Sequence, residues 1–481
     1  MCASNNAKKD AHPAPYPEDL IERLLKIYSY KNELVLDPFN GIGTTSLVAC
    51  KLGRQFIGIE LSKSYCDIAL QRLRALKSGA NLHIKTFHKD AAKLVNSDKI
   101  TESLNEIFPY KEAFSPFLIE FLSTKFKCKI DSVFDPFCGV GSSFLNKQTT
   151  RCFGFDTNPF AINVSLAKLR PLNLGQINEA LQRLKSFSPQ DIKPFALPKW
   201  QSFGKYASGE KFSVIMSFIE YFMDFGELYH FVKYALLSNL DKMLDYKKDG
   251  NGIKYRKSKI NDLNAYIKGL LNRAFELKIA FDKQGKKEII LKNTSSVADS
   301  LDIRVDCVLT SPPYANLFDY FEVYKMELWS SGLVEDYAQW KCLKKSALRN
   351  NKNSNLNANE CIKNEILQKT LQNLQSKGLE QSTITMLKNY FYDMKIVLQK
   401  CFELLKNGGF CFIVVANSCY KGVPVKSDEI LASEAEKIGF ALKEIIIARK
   451  INTSSQQMKT LDNLSKFSLR ESIIVLQKEV K

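Results

Sequence analysis

Apolar positions in this chain follow two rhythms, one of helical spacing and one of short strand-like runs. Residues 18–28 place Leu20, Ile21, Leu24, Leu25 and Ile27 on one helical face, and 33–36 is a short apolar run of strand type. Helix is predicted over 44–51, a strand over 55–59 ending at Glu60, and helix over 65–76. The same order restarts downstream: helix over 117–122, strand over 132–134, helix from 143, and strand over 152–155 ending at Asp156. Strand, loop, helix, strand and acid make the first half of a nucleotide-binding α/β sheet. Residues 171–287 then read as a long helical stretch broken at 247–257. Strands at 288–291, 305–309, 410–416 and 472–476 and a helix at 387–405 follow, enough to complete an open sheet. The asparagine-rich segment 350–360 reads as a mobile surface loop.

Where each first strand ends, the chain writes one signature twice: Asp37-Pro-Phe-Asn-Gly-Ile-Gly-Thr-Thr45 and Asp135-Pro-Phe-Cys-Gly-Val-Gly-Ser-Ser143. The acids Glu60 and Asp156 follow at nearly matching distances, so the two stretches are internal repeats. Gly41, Gly43, Gly139 and Gly141 can take positive φ and bring backbone close to a ligand. A phosphate loop would continue with Gly-Lys-Ser/Thr, and a dinucleotide loop would carry a third glycine. Neither is present. An amino acid group at the loop and ribose hydroxyls at Asp156 fit these residues better.

A second motif, Thr310-Ser-Pro-Pro-Tyr314, occurs once, at the carboxyl end of a strand. Two prolines fix φ and remove two backbone donors, leaving rigid carbonyls free to accept protons from an exocyclic amine. Ser311 and the Pro312 carbonyl would aim the amine lone pair, and Tyr314 would stack on a base drawn out of the duplex. Placement and electrostatics suffice for such a transfer, with no metal and no covalent nucleophile.

Charge sharpens the picture. Lysine and arginine number 69 against 51 acids, a formal net charge of +18 spread along the chain, which suits a polyanionic partner. The twelve cysteines fall singly, without a CxxC pair, and there are only four histidines, which argues against a zinc cluster or a disulfide framework. No leader and no membrane-spanning run is read from the sequence, so a cytoplasmic protein is expected.

With these motifs the sequence resembles the S-adenosylmethionine-dependent DNA amino-methyltransferases, whose cofactor loop reads DPFxGxGTT or a close variant. The resemblance implies that Asp135, Gly139 and Gly141 surround the methionine moiety with Phe137, while Asp156 holds the ribose and Thr310, leading into the catalytic loop, joins the cofactor-binding set. Phe114 and Pro116, in Phe-Ser-Pro-Phe before the second loop, would cover the methionine end. His12-Pro-Ala-Pro-Tyr-Pro17 would do so for the first copy, a second candidate cofactor half with Asp37, Gly41, Gly43 and Glu60. Ser311, Pro312, Pro313 and Tyr314 would be catalytic. The serine version of the loop is typical of N4-cytosine enzymes. The run from Thr310 to Tyr320, Met326-Glu-Leu-Trp329, the basic stretch 247–256 and Leu469-Arg-Glu-Ser-Ile473 resemble one serine-type subgroup. Where the family has Gly-Asp before the catalytic strand, this chain has Leu291-Lys-Asn-Thr-Ser-Ser296, leaving Asn293 and Ser295 as candidates for the adenine contact. A C5-cytosine enzyme would need a Pro-Cys nucleophile, and Cys138 belongs to the cofactor turn instead.

The implied architecture is a Rossmann-like open twisted methyltransferase sheet with a largely helical insert and a partial N-terminal repeat. Its expected division is an orphan cofactor half at 1–100, the main cofactor half at 110–170, a helical and basic target-recognition insert at 171–288, and the catalytic half at 289–481. The expected partners are double-stranded DNA with a flipped target base and a separate restriction endonuclease. N6-adenine methylation, RNA base methylation and an inactive DNA-binding subunit are the alternatives. The first copy is expected to be a remnant, or half of a site completed by another chain.

Overall fold

A computed structural model describes residues 16–76, 85–95, 103–111, 113–354, 361–451 and 468–479. Residues 12–15 of the proline-rich entry and 355–360 of the asparagine-rich segment lie outside these. The chain divides into two units, Met1–Ile84 and Lys85–Lys481.

The first unit holds helix Glu18–Tyr28, strand β1 (Leu34–Asp37), helix Thr44–Lys51, strand β2 (Gln55–Gly58) and helix Lys63–Ala75. β1 and β2 pair in parallel, with Asp37 opposite Gly58. Gly43 sits at φ +79°, and a Cβ there would lie 2.6 Å from the Ala69 methyl. A glycine is therefore required where the loop passes the last helix.

The strands of the second unit are β3 (Lys85–Phe87), β4 (Ser132–Asp135), β5 (Arg151–Asp156), β6 (Tyr246–Asp249), β7 (Gly252–Tyr255), β8 (Glu288–Asn293), β9 (Val305–Thr310), β10 (Leu405–Ala416), β11 (Ser418–Tyr420), β12 (Val423–Val425), β13 (Ala441–Lys450) and β14 (Arg470–Gln477). Eight of them form one sheet in the order β3-β13-β14-β10-β9-β4-β5-β8, parallel except for β14, which runs against both its neighbours. Strands β4, β9 and β14 in its middle are buried on two faces, as a helix-covered sheet requires. Val133, Cys307, Leu309, Phe412, Val414, Ile473 and Val475 face one core, which helices Leu118–Phe126, Pro159–Leu169 and Leu263–Asp282 complete. Phe134, Val308, Ile413, Val415, Ile474 and Leu476 alternate with them and face the other, under helices Gln381–Leu404 and Ser427–Ile438. This is a Rossmann-like methyltransferase sheet, preceded by a partial repeat of its cofactor-binding half.

Three expectations change. The helix predicted from 143 is only a short 3-10 turn, Ser142–Phe144, because the Asn146 side chain accepts the Gln148 and Thr149 N–H groups and turns the chain away. The basic break at 247–257 contains an antiparallel hairpin, β6–β7. The asparagine-rich segment begins as packed structure: Asn350 and Asn351 are buried, and Asn350 Nδ2 donates to the carbonyls of Phe318 (2.9 Å) and Tyr314 (3.3 Å). A loop whose carbonyls lack backbone partners attracts side-chain amides. Only 350–354 can be compared with the expected surface loop, and they cap the proline turn.

Candidate active site

From β4 the chain steps outward to β5 and β8, then returns to the opposite side of β4 as β9. That reversal is the switch point where open α/β sheets bind ligands. Asp135 ends β4 and Thr310 ends β9, and Thr310 Oγ1 donates to Asp135 Oδ1 at 2.7 Å. The same carboxylate accepts from Ser143 Oγ at 2.8 Å and from the Phe137 N–H at 3.0 Å. The cofactor-type loop and the proline loop are thus tied together by one buried acid.

Asp156 braces the glycine loop from β5. Its Oδ2 accepts the Gly139 N–H at 2.9 Å and its Oδ1 the Asn158 N–H at 2.8 Å. The first unit repeats this skeleton: Glu60 takes the N–H groups of Gly41 and Ser62, each at 2.8 Å, and Asp37 takes that of Phe39 at 3.0 Å. φ angles agree as well, +51° and +79° at Gly41 and Gly43 against +49° and +74° at Gly139 and Gly141. Burial pushes Asp135 up to about 7 and Asp156 up to about 6, against the hydrogen bonds that pull both down.

A cleft with about 910 Å³ of empty space opens above these strand ends. Of the predicted cofactor residues, Phe114, Asp135, Phe137, Gly139 and Asp156 line it. Pro116, Gly141 and Thr310 are not among its lining residues. Of the predicted catalytic residues, Ser311 and Pro313 face the cleft, whereas Pro312 and Tyr314 are buried. The Tyr314 ring packs into the core beneath helix Gln381–Leu404, and its hydroxyl donates to Glu471 Oε1 at 2.6 Å and accepts from Ser311 Oγ at 3.4 Å. Asp37, Gly41, Gly43 and Glu60 belong to the first unit. Of the two substitutes for the family's acid, Ser295 lines the cleft, while Asn293 donates to the Asp156 carbonyl at 2.9 Å.

Sequence reasoning missed the aromatic wall. Tyr110 and Tyr320 line the cleft; Tyr110 stacks on Tyr324 with centroids 4.3 Å apart, and on Tyr320 at 6.0 Å. The available signal was an aromatic residue just ahead of Phe114 and another closing the run from Thr310. Behind the wall, Lys248 of the basic hairpin points inward. Its ammonium lies 4.2 Å from the Tyr324 ring centre and 2.7 Å from Glu327, which also accepts from Tyr246 Oη at 3.1 Å. The motif at 326–329 therefore anchors the hairpin, and the motif at 469–473 supplies the acid that holds Tyr314. Among the described residues no cluster of His, Cys, Asp or Glu could hold a metal ion, and no helix is long and apolar enough to cross a membrane.

A reversed sheet with a nucleotide-type acid and a glycine loop at the switch point, facing a proline-rich turn, is consistent with a Rossmann-like methyltransferase fold. Residues 1–71 match the N6_N4_Mtase family model, described as DNA methylase. The chain is 29% identical over 400 residues to the type II methyltransferase M.AvaI of Nostoc sp., covering 73% of this chain and 82% of that one. A match of that extent necessarily crosses most of the second unit. The type II methyltransferases M.BglII of Bacillus subtilis and M.HinfI of Haemophilus influenzae are 49% and 47% identical over 69 and 73 residues, 14% and 15% of this chain and 19% and 20% of theirs. Over its first 71 residues the chain is thus similar to the DNA methylases of the N6_N4_Mtase family, and over 400 residues to a type II methyltransferase.

Proposed function

We propose that the second unit transfers the methyl group of S-adenosylmethionine to the exocyclic N4 of cytosine in duplex DNA, as the modification enzyme of a restriction–modification pair. The observation that carries this reading is Ser311, which faces the same cleft as Asp156 and Gly139 across the Thr310–Asp135 bond. Asp156 would take the ribose hydroxyls, the glycine loop and Phe114 the methionyl part, and the cofactor would supply an electrophilic methyl on sulfonium. Ser311 Oγ would accept a hydrogen bond from the target amine and turn its lone pair toward the methyl; as the N–C bond forms the S–C bond breaks, the demethylated thioether leaves and the nitrogen's surplus proton passes to solvent. Tyr314, tied to Glu471, fixes the serine instead of offering an open stacking face, and Tyr110 and Tyr320 supply aromatic surface in the cleft. Exposed Lys254, Arg256 and Lys257 lie on or just after the hairpin, where phosphate contacts would set position without reading sequence.

DNA recovered from cells expressing the protein should yield N4-methylcytosine when digested to nucleosides and weighed. N6-methyladenine in its place would overturn the base assignment while leaving the methyl transfer standing. The role of the first unit is tested separately. A chain starting at Lys85 should keep cofactor affinity and transfer rate within about threefold, since every residue lining the cleft belongs to the second unit. Loss of cofactor binding in a folded product would show that the first unit completes the site.

A further inference from the structure

Lys168, on helix Pro159–Leu169, is completely buried. Its Nζ donates to Asn105 Oδ1 at 2.9 Å, and Asn105 Nδ2 donates to Ser142 Oγ at 3.0 Å. Ser142 lines the cleft. Because its oxygen accepts from Asn105, its own proton is directed to another acceptor. Every link donates in one direction, so the chain presents a donor backed by a buried cation to whatever occupies this end of the cleft. The complement of such a group is an anion. Among the described residues no carboxylate pairs with Lys168; its ammonium lies 5.8 Å from the Phe108 ring and near the Cys138 thiol. Burial pulls its ammonium down to about 7, a cost that a ligand carboxylate would offset.

The first unit carries the same device in simpler form. Gly43 crowds Ala69 and Gly141 crowds Ser165, so Arg72 and Lys168, each three residues further on, hold equivalent helix positions. Arg72 Nη1 donates directly to Thr44 Oγ1 at 3.2 Å and to the Ile42 carbonyl at 2.9 Å, and Thr44 is the counterpart of Ser142. A cation aimed at the first hydroxyl after the glycine loop is thus built twice, by different residues. In the first unit Glu18 already neutralises it, with an oxygen 3.1 Å from Arg72 Nη2. In the second unit that counter-charge is left to a ligand.

We infer that Lys168, acting through Asn105, sets the Ser142 hydroxyl as the donor that takes the carboxylate of the cofactor's methionyl group. The inference rests on the reading that this cleft binds S-adenosylmethionine. Lys168 and Asn105 are positioning residues; Ser142 is the contact.

Calorimetric binding of S-adenosylmethionine and of its decarboxylated analogue to the full chain tests this. The intact protein should prefer the carboxylated ligand. Lys168→Met and Ser142→Ala should weaken S-adenosylmethionine by about tenfold and leave the decarboxylated analogue within about twofold, since only one ligand offers the anion. Lys168→Arg, the residue type of the first unit, should restore most of the preference. Equal losses for both ligands would mean that Lys168 merely supports the loop, and unchanged affinities would remove it from the site; either overturns the inference. Should Lys168→Met not fold, Ser142→Ala decides the matter alone. Failure of the intact protein to bind either ligand would instead defeat the cofactor reading itself.

Discussion

Ser311→Ala is expected to lower the rate of methyl transfer by about a hundred- to a thousandfold, the range seen when one group aimed at developing charge is removed. Affinity for S-adenosylmethionine should stay within about twofold, because the effect belongs to the transition state and not to cofactor binding. The amine of a base is a weak nucleophile until its lone pair leaves conjugation with the ring. As the new N–C bond forms, the nitrogen gains positive charge and its N–H becomes a stronger donor. A serine oxygen accepting that proton therefore binds more tightly at the transition state than in the ground state. Geometry supports the assignment: Ser311 is partly exposed in the cleft, and its hydroxyl is oriented by Tyr314 Oη at 3.4 Å. Single-turnover transfer on saturating DNA, set beside calorimetric cofactor binding, separates the two quantities. A Ser311→Ala enzyme with an undiminished rate, or one in which rate and cofactor affinity fall together, would remove Ser311 from the chemistry. Tyr314→Phe is the milder companion. It keeps the packed ring and loses the hydroxyl's bond to Glu471 together with the weaker one from Ser311, so a fall of about tenfold, close to the value of one charge-assisted hydrogen bond, is expected.

Tyr314 also marks where sequence reading reached its limit. The proline turn and both glycine loops were legible because each depends on local backbone demands: two fixed φ angles in one case, positive φ beside a close approach in the other. The sheet followed from apolar runs ending on Asp135, Asp156 and Thr310. Strand β13 was missed because its apolar centre, Ile445-Ile-Ile447, is short and flanked by charged residues, and the β14 ladder rather than intrinsic pattern fixes it. Contacts between distant segments were illegible for a different reason. Nothing local announces that Glu471 on β14 will hold Tyr314, that Asn350 will cap the turn, or that Lys248 will leave a basic hairpin to face Glu327. The motifs at 247–256, 326–329 and 469–473 could be picked out as strings, but their purpose appears only when the fold gathers them behind the cleft.

Asp156→Ala should weaken S-adenosylmethionine by about a hundredfold, because one partly buried carboxylate braces the Gly139 and Asn158 N–H groups and would also meet two ribose hydroxyls. The sign of the accompanying pH dependence is fixed by burial. With Asp135 near 7 and Asp156 near 6, both above the 3.8 of a free aspartate, the empty folded protein binds more protons than the unfolded chain between those values. Their contribution to its stability is therefore greatest below the unfolded pKa and is lost as pH rises through 6 to 7. Cofactor binding runs the other way. The ligand brings a sulfonium and an ammonium and asks both acids to be ionised, so binding should release protons near neutrality. Affinity should fall as pH drops through 7 and then 6, in two steps that belong to the coupled pair. Calorimetry in buffers of different ionisation heat counts those protons directly. Asp156→Ala should leave a single step, carried by Asp135 with its bonds to Thr310, Ser143 and Phe137 intact. Proton uptake on binding, or two steps surviving in Asp156→Ala, would place the cofactor's positive charge away from these acids and return the switch point to a purely structural role.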